Sequence, residues 1–590
     1  MNIWIASMGE NSRLNLSTKA IKKIAGDFFG DHHELHVFQF SLNTVTYYSV
    51  TINSGPEFQY NQKVENRLFA YSGFPVPRNE DYPDFRSVRK WKEYFDPLPD
   101  ATKHLMGHYA VLTADGFSFE CIVDNLGFQK VYYHKSEENI LVSNHLPFIK
   151  GFLNPDINEI FYIQFLAAGG IVGNATQHKQ IQTLPEYGWL QWNAEKGLTI
   201  KSYKDFTNTL ADERDRDTIR KKMLQEYDNA TNYLVDYFDI IVPLSGGFDS
   251  RTVLSMFWSK DKSNIQCYNY PDQPQDRRLA TKVAKDHNVY LNLLKPEPFP
   301  SIEQLYNFEK ERTYSFLDFS DVFNYLFHKE IVSLFSKKNK VMISGNAGGT
   351  HYGLDLQKKL SNQPLPLELT IIKFVKSSIS KSFLTEDGYK LLEKSLTDYY
   401  REKYVPKLKR DTASLDFLTL FFFLERVGSY KGQQLQEKYC DRLFYMPFGS
   451  ETFIQLINST PQKGRVRGRE GGIHHSILSH FTGNEDSKIR FVNNYHWETG
   501  KLRRLQFYIE KRCLDNKSKG EKFSTNMRRK IFEKNRDQLF EILTYSKDSF
   551  LWDYLQKDYF LKLADSKDRV SFTDIQIILK IAPLLLSKNS

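Results

Sequence analysis

Apolar positions in the first third of the chain recur at every second residue. H-V-F-Q-F at His36–Phe40, T-V-T-Y-Y-S-V-T-I at Thr44–Ile52 and H-Y-A-V-L-T at His108–Thr113 alternate and are rich in β-branched and aromatic residues, so strands are expected there. Further runs lie between Ile122 and Phe148, separated by turns at Asp124–Gly127 and Ser136–Asn139. Residues Asn2 to Tyr203 therefore read as a sheet-rich α+β unit. The pattern breaks at Asn208–Asp217, N-T-L-A-D-E-R-D-R-D, a polar and charged stretch that reads as a linker. Beyond it, Ile219, Met223, Tyr227, Tyr233, Leu234 and Tyr237 fall at helical spacing within Thr218–Phe238.

Asp239–Leu244 is then a short β-branched run that predicts a buried strand. Ser245-Gly246-Gly247 cannot continue it, since adjacent glycines favour a tight turn with positive φ. Val253, Leu254 and Phe257 restore helical spacing, and Ile265–Tyr270 reads as a second strand. Strand, turn, helix and strand make a βαβ unit, which implies a parallel sheet covered by helices. From about Leu367 the pattern is helical, closing on I-Q-I-I-L-K-I-A-P-L-L-L. The expected fold class is α/β: a sheet-rich domain over 1–207, a linker at 208–217, and a parallel-sheet domain with a helical extension over 218–590.

Composition narrows the function classes. A chain of 590 residues is long enough for two or three cores. Eighty basic against 71 acidic residues give a net charge of +9, mild at this length. A mean hydropathy of −0.51 and the lack of a long apolar run argue against a membrane span. M-N-I-W-I-A-S-M-G-E does not read as a secretory signal. Cys121, Cys267, Cys440 and Cys513 are far apart, suggesting neither a disulfide framework nor a zinc site. A cytoplasmic protein is expected.

The candidate chemistry centres on Leu244-Ser245-Gly246-Gly247-Phe248-Asp249-Ser250-Arg251. A strand, a glycine turn and a helix start aim backbone N–H groups at one point, where the helix dipole adds positive potential. Ser245 and Ser250 add hydroxyls, and Asp249 adds a carboxylate able to hold a metal ion on phosphates. The plainer alternative is a strand-to-helix turn with Asp249 or Ser250 as its cap. The stretch is neither a Walker A loop nor a G-x-G-x-x-G fingerprint.

S-G-G-F-D-S-R resembles the pyrophosphate loop of the ATP-pyrophosphatase superfamily, and most closely that of the asparagine synthetase family. The segment I-V-D-N-L-G-F-Q-K-V-Y-Y resembles part of that family's glutaminase domain. Asp276, ahead of a helix carrying Ala280 and Ala284, matches an acidic position near the nucleotide; its rival reading is a helix-start residue. K-V-M-I-S-G-N-A-G-G-T at Lys340–Thr350 resembles the family's second nucleotide loop, so Ser344, Gly345 and Asn346 are candidate contacts. There Asn346, Gly349 and Thr350 replace the family's acids, leaving Asp249 as the single placed metal ligand; Asp318, Asp321, Asp355 or the substrate are candidate substitutes. Lys488 and Tyr314 are named for the family's lysine and tyrosine at the substrate carboxyl. Arg465, Arg467 and Arg469 read as an anion contact or a solvated basic loop.

The family's glutaminase nucleophile is a cysteine at the mature N-terminus, whereas position 2 is Asn2; Cys121 reads as a buried, inert thiol. The resemblance implies an ATP- and Mg²⁺-dependent amide-forming ligase that releases AMP and pyrophosphate and uses ammonia or a substrate amine. Relatives of this kind close β-lactams and lasso-peptide macrolactams. The partners implied are a small-molecule or peptide carboxylate, a precursor peptide or partner protein, and a second copy of the chain; nucleic acid and membrane are disfavoured. The rival class is a silent homologue acting as a nucleotide-binding regulator or scaffold.

Overall fold

The computed structural model describes residues 2–586 other than 10–16, 30–34, 53–57, 80–82, 96–97, 138, 271–273, 313–321, 336–338, 351, 362–364, 410–412, 433, 436–441, 466–471, 484–522, 547–548 and 567–569. It is a mixed α/β molecule. Two six-stranded antiparallel sheets come first, then a five-stranded parallel sheet, then helices. Among the described residues no helix is long and apolar enough to cross a membrane.

The period-two pattern sorts the antiparallel part into layers. In strand Asn2–Met8, Trp4, Ala6 and Met8 face the second sheet, while Ile3 and Ile5 join Ile21, Phe148 and Ile149 from helices Thr18–Phe29 and Leu146–Phe152. In strand Leu105–Ala114, Ala110, Leu112 and Ala114 face the first sheet, and Tyr109 and Val111 face the parallel part. One face of each sheet thus builds the sandwich core, and the other buries against helices or the parallel part. Strand Asn2–Met8 lies inside its sheet, pairing with Val45–Ile52 on one side and Ile140–Ser143 on the other. Cys121 sits in the sandwich with no exposure, and burial pushes its thiol pKa up, in keeping with an inert role.

The parallel sheet has the spatial order Tyr290–Leu293, Ile265–Asn269, Asp239–Pro243, Lys340–Ile343, Leu443–Tyr445. The chain starts in the centre, adds two strands on one side, then crosses to add two on the other. The strand order therefore reverses between Asp239–Pro243 and Lys340–Ile343. In open parallel sheets the crevice at that reversal is where ligands bind. Leu443–Tyr445 lies in a region read from sequence as helical; three residues show no periodicity, and they become a strand because the edge of Lys340–Ile343 offers unpaired backbone groups.

The two parts dock through the Asp124 turn. Asp124 is fully buried and accepts the N–H groups of Leu126, Phe128 and Gln129 at 3.1, 3.0 and 2.8 Å. Burial raises its carboxyl pKa, and those amides pull it partly back. The turn lies against the π-helical segment Phe421–Lys431. A Cβ on Gly428 would stand 2.3 Å from the Leu126 carbonyl oxygen, so only glycine fits there. Asn125 adds a hydrogen bond to the Gly449 carbonyl at 3.0 Å.

Beside this contact a charge cluster is sealed into the interface. Glu425 is fully buried and accepts from Tyr399 at 2.9 Å, Tyr404 at 3.1 Å, Lys403 at 2.9 Å and the Gly173 N–H at 2.9 Å. Lys403 also reaches Glu186 at 3.0 Å. Burial would raise the Glu425 pKa, but Lys403 and the hydrogen bonds outweigh it and hold the carboxyl below its ordinary value. A lowered carboxylate pKa contributes stability that is present above the unfolded-state value and is lost as pH falls through the folded one. Lys403→Met should therefore cost about 3–5 kcal/mol, because it strands Glu425 in the interior. Glu425→Gln should flatten the acid side of the stability–pH curve. Urea midpoints across pH 3–8 check both; a Lys403→Met midpoint equal to wild type would show that the cluster does not hold the interface.

Candidate functional site

The crevice at the strand reversal is formed by two turns, each following a buried strand. The Leu244 N–H donates to the Tyr268 carbonyl at 2.8 Å, carrying parallel pairing to the edge of the first turn. Helix Phe248–Ser255 opens directly after Gly247, which is its N-cap at φ −78° and ψ 170°. The positive φ expected for the glycine pair is not found: neither Gly246 nor Gly247 is among the left-handed glycines. A Cβ at 247 would meet a single atom, the Ser245 Oγ, at 3.1 Å.

The serines frame the turn from within. Ser245 Oγ and Ser250 Oγ are 2.9 Å apart, Ser250 Oγ accepts the Ser245 N–H at 3.0 Å, and Ser245 Oγ accepts the Gly247 N–H at 3.1 Å. Asp276, in the first turn of helix Pro274–Asp286, accepts the Gly246 N–H at 2.8 Å. Its second oxygen takes the Asn269 amide at 2.9 Å, and that amide also donates to the Leu244 carbonyl at 2.8 Å. Asp276 thus stands in the first turn of its helix, as the helix-start reading expects, and its carboxylate occupies the Gly246 N–H. Arg251 has no exposure, and its guanidinium lies 5.9 Å from the Phe248 ring centre.

The second turn lies on top of the first. Ser344 takes its N–H to the Tyr445 carbonyl at 2.9 Å, and its Oγ accepts the Asn346 N–H at 3.2 Å. A Cβ on Gly345 would meet the Asp249 carbonyl carbon at 2.7 Å and the Ser250 nitrogen at 2.8 Å; one on Gly348 would meet Asp249 Cγ at 2.7 Å. Of the positions at which the family resemblance expects acids, Asn346 is exposed, while Gly349 and Thr350 are packed against neighbouring segments. A side chain at Gly349 would strike the Phe422 ring at 3.0 Å, and Thr350 is buried with its hydroxyl donating to the Arg465 carbonyl at 2.7 Å.

Sequence reasoning missed His474. It is buried in helix Ile473–Thr482 among the Phe248, Phe448 and Phe453 rings, and its Nε2 lies 3.1 Å from Asp249 Oδ1, within ion-pair range but outside hydrogen-bond geometry. No motif marks a lone histidine more than 200 residues from its partner. Arg465 is neither an anion contact nor solvated. It is buried and donates to the Thr460 and Asn458 carbonyls at 2.8 and 3.2 Å, closing the end of helix Glu451–Ser459. Asp355 is exposed in helix Tyr352–Leu360. Tyr314, Asp318, Asp321, Arg467, Arg469 and Lys488 lie outside the described residues.

Among the described residues no three His, Cys, Asp or Glu side chains gather into a metal cage. Mg²⁺ is commonly held by one or two carboxylates with the remaining ligands from phosphates and water. Asp249, whose side chain is 22% exposed, meets that minimum through one carboxylate. Among the described residues the donor set therefore fits an ion held mostly by ligands from outside the chain.

No protein-family model matches the chain, and no curated protein matches it in sequence. Solved structures with detectable likeness include glutamine phosphoribosylpyrophosphate amidotransferase from B. subtilis complexed with ADP and GMP, at 8% identity over 61% of this chain and 77% of that one, with a TM-score of 0.24. An allosteric regulatory enzyme of purine biosynthesis matches at 8% identity over 65% and 79%, with a TM-score of 0.24. NH₃-dependent NAD synthetase from Campylobacter jejuni, in complex with the nitrate ion, matches at 15% identity over 34% and 92%, with a TM-score of 0.17. At these scores none of the three assigns a role to any residue here.

Packing of the second turn on Asp249 yields a graded expectation. Gly345→Ala meets the Asp249–Ser250 backbone and should destabilise by about 1–3 kcal/mol, with Gly348→Ala, which meets the Asp249 side chain, close behind. Gly247→Ala meets a single hydroxyl and should leave the melting temperature nearly unchanged. Thermal denaturation of the three variants decides it; equal melting temperatures would mean the turns are not in contact.

Proposed function

We propose that the chain is an ATP-dependent, AMP-forming carbon–nitrogen ligase similar to asparagine synthetase, working in the cytoplasm. The observation that carries this reading is the position of the S-G-G-F-D-S-R turn, which closes the first parallel strand at the strand reversal and is braced by the serine pair and Asp276. ATP would lie with its phosphates over Ser245–Ser250. A carboxylate oxygen attacks the α-phosphorus, the bond to the bridging oxygen breaks, and pyrophosphate leaves. Ammonia or a substrate amine then attacks the acyl carbon, loses a proton and displaces AMP. The turn's task is to hold and neutralise the departing pyrophosphate, since such chemistry draws chiefly on positioning and charge. Magnesium, if carried in with ATP, would supply further neutralisation beside Asp249.

Within this reading the chain divides at 208–217. The sheet-rich part acts as a scaffold without its own glutaminase: Cys121 is sealed in the sandwich, with burial pushing its thiol pKa up, and Asn2 is buried, donating to the Tyr71 carbonyl at 3.0 Å. The substrate is a small-molecule or peptide carboxylate, and a precursor peptide, a partner protein or a second copy of the chain are the macromolecular partners consistent with it. Pyrophosphate exchange into ATP, driven by candidate carboxylic acids, tests the chemistry. Asp249→Ala should lower the exchange about 100-fold or more, the scale on which one charge-stabilising group acts. Exchange that is undiminished in Asp249→Ala would overturn the assignment.

A specific observation favours a second reading, nucleotide binding without turnover. Gly349 faces Phe422 and Thr350 is tied to Arg465, so the second turn offers no carboxylate. On that reading Mg²⁺ and ATP raise the melting temperature by mass action, yet no acid supports exchange or AMP release.

A further inference from the structure

His474 stands in the first turn of helix Ile473–Thr482 and is 2% exposed. Phe248, Phe448 and Phe453 close on it edge-on, with ring centres 5.8, 5.5 and 6.4 Å away. The backbone beneath the ring is fastened too. The Ser476 N–H and hydroxyl both donate to the Gly472 carbonyl, at 2.9 and 3.0 Å. At the far end of the helix, His480 Nε2 meets Asp228 Oδ2 of helix Arg216–Tyr237 at 2.8 Å. Phe248, the chain neighbour of Asp249, packs on Leu478 of the same helix. The imidazole is thus held in place from both ends of its helix.

Packing alone gives no reason for a histidine here. A polar ring in an apolar cage is unfavourable unless its nitrogens are satisfied, and a phenyl or leucyl side chain fills such a space without that penalty. The Nε2 atom is shut away from solvent and has no hydrogen-bond partner, yet it lies 3.1 Å from Asp249 Oδ1. That oxygen is sealed from solvent as well, so the 22% exposure of the Asp249 side chain belongs to its other atoms. The second turn closes the same side, since a Cβ on Gly348 would meet Oδ1 at 2.8 Å. One carboxylate oxygen is boxed between an imidazole and a glycine, and a ligand in the crevice meets the carboxylate from its other side. The separation suits an N–H···O bond and only the angle does not; contacts of this kind tighten when a ligand is bound.

We propose that His474 is a positioning residue for Asp249. The inference rests on the reading of the crevice as an ATP site. With nucleotide bound, His474 Nε2–H donates to Asp249 Oδ1 and keeps that oxygen turned away from the crevice, which leaves the other oxygen for the cation on the triphosphate. Asp249 lies in the first turn of helix Phe248–Ser255. A carboxylate there can otherwise turn back onto the free amides of its own helix start, where it serves the helix and not the cation. A hydrogen-bonded neighbour that fixes a metal-binding side chain prevents this. The role needs no change of charge, because a neutral imidazole with its proton on Nε2 is a sufficient donor.

Isothermal titration of the full-length protein with ATP, in excess Mg²⁺ and again in EDTA, separates this role from packing. Wild type is expected to bind ATP more tightly with Mg²⁺. His474→Phe fills the cage without a donor; it should keep the melting temperature and the affinity in EDTA but lose about tenfold or more of the gain from Mg²⁺. His474→Leu gives the same comparison if the phenyl is too large to fold. His474→Gln, whose amide nitrogen reaches the place of Nε2, should keep most of the gain. The proposal is overturned if His474→Phe retains the whole Mg²⁺ effect, or if the Phe and Gln variants lose it equally, as a packing defect would. In either case, loss of the effect in Asp249→Ala leaves the ATP reading standing. Wild-type binding that ignores Mg²⁺ also overturns the proposal, while nucleotide binding stands. If wild type binds no ATP at all, the reading of the crevice fails and the role of His474 fails with it.

Discussion

Backbone meeting backbone without an intervening Cβ is the constraint on which this molecule depends. Gly428 admits the Leu126 carbonyl and so lets the antiparallel part seat on the π-helical segment. Gly345 admits the Asp249 backbone and so lets the second turn cover the first. Each approach is closer than any side chain allows, and each fixes a geometry with little slack. The crevice depends on the second contact, while the buried charge cluster depends on the first.

Charge in the interior follows from the same docking. Glu425, Lys403 and Glu186 would be costly to bury singly, and they persist because the closed interface supplies every oxygen with a donor. Such a cluster makes docking nearly all-or-none, since a half-open interface would leave charges desolvated but unpaired. His108 shows the opposite solution. It is buried between the Phe128 and Phe444 rings, and burial drives its pKa down to about 3, so it stays neutral through the physiological range.

Much of this architecture was legible in the residue pattern, for reasons that also mark where legibility ended. Alternation and β-branching located strands Leu35–Leu42, Val45–Ile52 and Leu105–Ala114, because each has one face in a core. The parallel βαβ unit followed from a short apolar run ending in two glycines. What escaped is nonlocal. His474 reaches Asp249 from a helix with no motif, and Arg465 turns inward to close carbonyls although its neighbours in sequence are basic and polar. The glycine pair does form a turn, but not a left-handed one: Gly247 has φ −78° and ψ 170°, a conformation open to any residue, so the two glycines overstate what the backbone demands there.

The place of strand Asn2–Met8 carries a consequence for how the protein is made. Trp4 donates its N–H to Asn144 Oδ1 across 140 positions of sequence, and the strand pairs on that side with Ile140–Ser143. At a synthesis rate of about 5–20 residues per second, an apolar strand leaving the ribosome early waits on the order of ten seconds for that neighbour. During the wait it has a single partner in Val45–Ile52 and an open edge. The open edge of this strand is therefore most vulnerable to wrong pairing before Ile140–Ser143 emerges, and holding chaperones would matter most in that interval.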